Sequence, residues 1–359
     1  MPLIINIEHL TLSPTCLALI DEIDAFKSNW RMVDGLVPEQ LGSLRKVAVI
    51  ESIGSSTRIE GSKLSDEAVE DLLARLEIQS FASRDEEEVA SYAETMNLIF
   101  DSWSEITLTE NHIKQLHRDV LRHSIKDEHH RGNYKTLPNH VAAFDENGRE
   151  IGIVFATSSP FDTPHHMSEL VAWLSHAQTN KTHHPLILIG IFIVVFLAIH
   201  PFQDGNGRLS RLLTTMMLMQ AGYGYVPYSS LEHVIEQRKE SYYRALRQTQ
   251  SSLPDTVPDW LAWLEFFLGA MQQQARRLFQ QLTAQNRMLS LPPVSGQIMA
   301  LVKRDQRVTI GSLHHATALN RNTIKDHLRR LVETQQLQKH GTGKGTWYTL
   351  PLRWTNDAD

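Results

Sequence analysis

The sequence predicts a mostly α-helical protein, and three observations carry that reading. Apolar residues recur at three- and four-residue spacing along most of the chain. Strand signals are few, the clearest being around residues 141–155, where two short apolar runs flank a tight-turn signal. One uninterrupted apolar run, Leu186 to Ile199, is about 14 residues long, too short for a bilayer span of roughly 20. It is therefore expected to be a buried core helix. With 359 residues the chain has room for two or three domains. Its 42% apolar and 21% charged residues are ordinary for a globular protein.

In chain order, Leu44, Val47, Ala48 and Ile50 suggest a helix running toward Ser56-Thr57-Arg58-Ile59-Glu60-Gly61. Ser56 and Glu60 would lie one turn apart on it, with Gly61 as its C-terminal stop. Leu64, then Ser65-Asp66-Glu67, then Val69, Leu72, Leu73 and Leu76 read as a capped amphipathic helix. Ile113, Leu116, Val120 and Leu121 predict another, as do Leu170, Val171 and Leu174. Asp145-Glu146-Asn147-Gly148 between Val141–Phe144 and Ile151–Phe155 predicts a β-hairpin. Trp260 to Leu268, continuing through Arg276, Leu278 and Phe279, predicts one long closing helix. Leu291-Pro292-Pro293 ends that pattern and marks a domain boundary. The doubled histidines (His129-His130, His165-His166, His183-His184, His314-His315) read as surface or packing residues, because adjacent side chains on a helix diverge and no cysteine accompanies them.

Residues 200 to 211, His-Pro-Phe-Gln-Asp-Gly-Asn-Gly-Arg-Leu-Ser-Arg, carry the densest chemistry. Gly205 and Gly207 flank Asn206 and allow positive φ and close approach of backbone to a ligand. Arg208 onward has helical spacing, so the first amides of that helix would face an anion. Asp204 can hold a hard cation such as Mg²⁺. Arg208 and Arg211 share a helix face and suit phosphate oxygens. His200 is the side chain suited to general-base work at neutral pH, and Phe202 is an apolar anchor. A Walker-type phosphate loop is excluded, because no Gly-x-x-x-x-Gly-Lys-Ser/Thr occurs.

At these residues the chain resembles the Fic family, whose signature His-x-Phe-x-Asp/Glu-Gly-Asn-Gly-Arg-x-x-Arg is matched at every fixed position. The resemblance implies transfer of AMP from ATP, as substrate, to a Ser, Thr or Tyr hydroxyl of a target protein, the chain itself included. It implies His200 as the base, Asp204 as the Mg²⁺ ligand, Gly205, Asn206 and Gly207 as the anion hole, and Arg208 and Arg211 on the phosphates. Ser56, Glu60 and Gly61 resemble the family's inhibitory pattern, in which the Glu pairs with the second arginine, here Arg211. Arg131-Gly132-Asn133-Tyr134-Lys135 resembles the segment before the flap hairpin, whose edge would align the target. Tyr242 and Tyr243 resemble the aromatic pair near adenine, while Gln250 stands where relatives often carry Asn. The division implied is 1–110, a helical region with the inhibitory motif; 111–288, a Fic core; and 289–359.

That last segment is basic, with nine Lys or Arg against three acids from Lys303 to Lys344, whereas the whole chain has 35 basic and 41 acidic residues. Its helices around Leu313–Ala318 and Arg321–Leu331, then strand, turn and strand over 337–350, resemble a winged helix-turn-helix. Arg321, Asn322, Lys325 and Arg329 would face DNA or a protein partner. The lone Cys16 permits no internal disulfide, and the N-terminus lacks a basic-then-apolar leader, so a cytoplasmic location and no membrane partner are expected. Open alternatives are removal of AMP, a DNA-binding regulator that senses nucleotide, transfer of another group, and a homodimer.

Overall fold

The computed structural model describes residues 5, 7, 10–30, 38–76, 80–139, 141–144, 150–155, 157–255, 257–289, 292–334 and 336–351. The chain divides into two compact units, Met1–Leu278 and Phe279–Asp359. The predicted hairpin turn, Asp145 to Gly148, lies outside the described residues.

The first unit is helical around one buried rod, α7 (Pro185–Ile199), whose residues from Leu186 to Ile199 are all buried. Pro185 at its first turn and the His184 ring accepting from the Leu186 N–H start it. Each Leu, Ile, Val or Phe it buries contributes about 1.5–3 kcal/mol. The helices α6 (Thr163–Thr179), α8 (Asn206–Gln220) and α10 (Lys239–Ser252) pack against it. So does α11 (Leu261–Leu289): a Cβ on Gly190 would meet Leu264 Cδ2 at 2.9 Å, and Trp263 Nε1 donates to Gly190 O at 2.7 Å. Gly190→Ala would force these helices apart.

Ahead of this core come α1 (Pro14–Trp30), α2 (Pro38–Ile59), α3 (Asp66–Ala74), α4 (Arg84–Ser102) and α5 (Glu110–Val120). The expected caps are present, with Ser65 accepting from Ala68 N and acids in the first turn of α3. Leu44, Ala48 and Ile50 of α2 are buried, while Val47 faces outward. Gly61, with φ of 108°, ends α2: Ser62 N–H bonds Thr57 O at 3.1 Å and Gly61 N–H bonds Arg58 O at 3.0 Å. That pair of bonds is a Schellman stop and leaves Glu60 at the C-cap. Next to α10 lies α9 (Leu231–Gln237), against which α2 packs. β1 (Val141–Phe144) and β2 (Glu150–Phe155) pair antiparallel, Val141 opposite Phe155 and Phe144 opposite Glu150.

In the second unit, α12 (Pro293–Asp305), α13 (Ile310–Thr317) and α14 (Arg321–Glu333) precede the antiparallel pair β3 (Gln338–His340) and β4 (Trp347–Thr349). Ile298, Val302, Leu313, Ile324, Leu328 and Tyr348 belong to its core. Thr309 and Ser312 cap α13 reciprocally.

Candidate active site

The loop from His200 to Gly205 joins the C-terminus of α7 to the N-terminus of α8. Its two ends both adopt left-handed backbone, His200 at φ 52°, ψ 61° and Gly205 at φ 78°, ψ 1°. For histidine that conformation is strained, a feature that clusters at functional sites. Asn206 holds the loop: its Oδ1 accepts from Phe202 N at 2.9 Å and its Nδ2 donates to Phe202 O at 2.7 Å. The first intrahelical bond of α8 runs from Leu209 N to Gly205 O, so the N–H groups of Asn206, Gly207 and Arg208 point out of the helix start.

An anion already stands there. Glu60 Oε1 lies where a Cβ on Gly207 would come within 2.0 Å of it, so only glycine at 207 admits this carboxylate. The same oxygen accepts from Arg211 Nη2 at 2.9 Å. Arg211, 4% exposed, also donates from Nε to Ser56 Oγ at 2.7 Å and from Nη2 to Ser56 O at 2.8 Å. Burial, the largest single influence, disfavours its charge, yet Glu60 together with Tyr242 and Tyr92 outweighs it and raises its pKa. Its Nη1 has no hydrogen-bond partner among the described residues. Ser56, Glu60, Gly207 and Arg211 are thus brought together, across 151 residues of chain between Glu60 and Arg211.

His200 Nδ1 sits 3.3 Å from Leu197 O. A carbonyl only accepts, so Nδ1 carries the proton and Nε2 keeps a free lone pair in the neutral ring. Burial, and after it the charge of Lys135, pull the pKa of His200 down to about 4 against the pull of the Leu197 carbonyl bond. The ring is neutral at pH 7.

Asp204 closes a ring of four charges. Its Oδ1 accepts from Gly205 N at 2.6 Å and lies 3.4 Å from Arg208 Nη2. Its Oδ2 accepts from Arg84 Nη2 at 3.1 Å. Glu88 completes the ring, with Oε2 3.1 Å from Arg208 Nη1 and Oε1 accepting from Arg84 Nε at 2.8 Å. Burial works against ionisation of Asp204, but Arg208, the Gly205 N–H and Arg84 prevail and hold its carboxyl below the ordinary value. Among the described residues no group of three or more His, Cys, Asp or Glu could hold a metal. One carboxylate fits Mg²⁺ when nucleotide oxygens and water complete the shell. Arg208 Nε and Arg211 Nη1, which have no hydrogen-bond partner among the described residues, fit an anionic substrate beside it.

Several supports went unread in the sequence. His117 of α5 donates from Nε2 to Asp204 O at 2.9 Å, accepts from Gly132 N at 2.9 Å, and stacks on Phe202 at 3.7 Å. Lys135 donates to Ile199 O, Asn139 Oδ1 and Thr157 Oγ1, while Asn139 Nδ2 donates to Phe202 O at 2.6 Å. Burial lowers the Lys135 pKa to about 8. The sequence did hold a signal for His117: it lies four residues after Ile113 and three before Val120, on the buried stripe of α5. Tyr242 packs with Trp263 and Phe266 at 5.8 Å, and with Tyr243 edge-on at 5.1 Å. Gln250 is buried, with Nε2 3.5 Å from Val194 O.

His117 yields a pH prediction. Burial, its leading cause, sets the folded pKa at about 4 against 6.5 for a free imidazole. The folded state then binds fewer protons between those values, so its stability is complete above pH 6.5 and lost as pH falls through 4. The loss is on the order of 3 kcal/mol for one fully buried ring. Urea unfolding from pH 7 to 4.5 should show that slope together with the one from buried His200, and His117→Phe, which keeps the stack, should remove its own share and leave a shallower profile. An unchanged slope in the variant would refute the assignment.

Residues 107–218 match the family model described as Fic/DOC. "Protein adenylyltransferase Fic" of Drosophila melanogaster is 28% identical over 218 residues, covering 59% of this chain and 40% of the relative. The Drosophila grimshawi protein of the same name is 28% identical over 205 residues, 56% of this chain and 38% of its own. The chain thus matches less than half the length of these relatives. A Fic-domain-containing signaling protein from Bacteroides thetaiotaomicron superposes with TM-score 0.59 and 26% identity, over 72% of this chain and 95% of that one. A Fic family protein from Desulfovibrio desulfuricans shares the fold over 96% of this chain and 98% of its own, with TM-score 0.57 and 22% identity.

Proposed function

We propose that the chain is a protein adenylyltransferase restrained by Glu60. The observation that carries this is a neutral imidazole with a free Nε2 at the lip of a helix start whose amides and orphaned guanidinium donors call for an anion. In the reaction a target Ser, Thr or Tyr oxygen forms a bond to the α-phosphorus of ATP. The Pα–O–Pβ bond breaks, pyrophosphate leaves, and the hydroxyl proton passes to His200 Nε2. The amides of Asn206 and Gly207 face the phosphate chain, with Arg208 and Arg211 supplying positive charge; such positioning and charge stabilisation make most of the rate. Mg²⁺ on Asp204 would neutralise phosphate oxygens. The relatives named as adenylyltransferases support this reading. Mass spectrometry of host lysate treated with Glu60→Gly and ATP tests it: the reading requires AMP on hydroxyl side chains of a target, and an unmodified lysate together with an unmodified enzyme would count against it. Restoration of an adenylylated target by the wild-type protein would instead favour AMP removal.

Glu60 is held in place from behind. Arg58 donates to Glu236 Oε1 at 2.7 Å and to Asp66 Oδ1 at 2.8 Å, tying the end of α2 to α9 and α3. Arg58→Ala should loosen this end and raise self-modification about two- to fivefold, in line with part-exposed ion pairs of roughly 0.5–1 kcal/mol. Unaltered labelling in that variant would remove Arg58 from the lock.

A second reading concerns the C-terminal unit as a winged helix. Arg321, Asn322, Lys325 and Arg329 of α14 are exposed, as a DNA-reading helix requires. A mobility shift on mixed-sequence duplex DNA that weakens on Lys325→Ala and with salt supports it; no shift at low salt argues for a protein partner.

A further inference from the structure

Two features of the nucleotide site proposed above are supplied from outside the stretch that matches the Fic model. Glu60 ends α2 and Arg84 opens α4, both before residue 107. Glu60 puts a carboxylate on the helix start where phosphate would lie. Arg84 puts a guanidinium on Asp204 Oδ2, 3.1 Å away. The other oxygen of Asp204 faces inward, to the Gly205 N–H and to Arg208, which is only 2% exposed. On the outer side, Arg84 and Asp204 have side chains 47% and 37% exposed. A cation arriving from solvent therefore meets Asp204 at the oxygen that Arg84 already occupies.

We propose that Arg84 holds the place of the divalent cation at Asp204, so that Glu60 and Arg84 together imitate the anionic and cationic halves of a metal–nucleotide substrate. The pairing is economical in charge: Asp204 and Glu88 are balanced by Arg84 and Arg208 in the resting ring, leaving no ion uncompensated at a half-buried site. A dication at Asp204 displaces the Arg84 fork, since two positive groups at one oxygen repel even in a wet environment. Arg84 can then remain on Glu88 through Nε. Metal demand for nucleotide binding is thereby set by a residue of the N-terminal region and not by the loop alone.

The inference rests on the proposed nucleotide site, and the test separates the two. Full-length Glu60→Gly protein is titrated with Mn²⁺ in the presence of α,β-methylene-ATP, with bound Mn²⁺ read by electron paramagnetic resonance. Adding Arg84→Gln, which keeps a polar hydrogen-bonding side chain but removes the charge, should lower half-saturating Mn²⁺ about three- to tenfold, the size expected for deleting one unit charge beside a dication. Arg84→Lys should stay within about twofold of the parent, because the charge survives. Thermal melting of each variant verifies folding. Equal or higher half-saturation in Arg84→Gln overturns the role of Arg84 while leaving the nucleotide site standing. Mn²⁺ binding that does not require the analogue, or that survives Asp204→Asn, overturns both.

Discussion

Glu60→Gly should raise self-modification by AMP about ten- to a hundredfold. The contact removed is a charge-assisted bond of 2.9 Å between a carboxylate and a nearly buried guanidinium. Such bonds contribute roughly 1.5–3 kcal/mol, which is that range of population. Complete conversion of a locked to an open ensemble, from 1:99 to 99:1, takes about 5.5 kcal/mol, so the wild-type protein should retain measurable basal transfer and the variant should not reach its ceiling from this bond alone. Ser56 continues to hold Arg211 through Nε and Nη2 in the variant, which keeps Arg211 in place and makes a collapse of the site unnecessary to consider. Incorporation of α-labelled ATP into the protein, compared per mole of enzyme, gives the ratio. A variant no more active than wild type would remove Glu60 as the lock.

His200→Ala should lower transfer by roughly 10²–10⁴-fold while leaving nucleotide affinity nearly unchanged. The imidazole is positioned by the α7 C-terminus and makes no bond to the loop arginines, so its removal costs proton acceptance and not phosphate binding. In the free protein its pKa is lowered to about 4, which makes it a weak base. A triphosphate placed beside it favours the charged imidazolium and moves that value upward. Histidine NMR should therefore show the ring titrating near 4 without nucleotide and higher with it. The sign gives the profile: transfer persists as pH drops from 7 toward the bound-state pKa and is lost below it, when the ring arrives already protonated. Isothermal titration of the variant with the analogue checks the affinity, and strong loss of binding would recast His200 as a structural residue.

Much of this site was legible because its parts are contiguous. The run from His200 to Arg211 places base, carboxylate, amides and guanidiniums in order, and the buried rod before it follows from composition alone. Ser56 and Glu60 were legible as a short pattern at a helix end, with Gly61 supplying the stop seen in the backbone. What the sequence left unread are single polar residues on amphipathic helices. Arg84 and Glu88 look like one of many i,i+4 pairs on an exposed face, and only tertiary packing carries them to Asp204 and Arg208. Lys135 and Asn139 support the loop through its carbonyls, and backbone acceptors leave no trace in residue identity. Tyr242, matched to a family pattern, sits in an aromatic cluster with Trp263 and Phe266.

The central claim is that this loop grips the triphosphate so that the α-phosphorus faces the imidazole. It is tested most directly by incubating Glu60→Gly protein with Mg²⁺ and ATP labelled in parallel at the α- or the γ-phosphate. The account predicts α-label on the protein, none from the γ-position, and neither in the Glu60→Gly, His200→Ala double variant. Protein labelled from the γ-phosphate, or α-label that survives loss of His200, would contradict it.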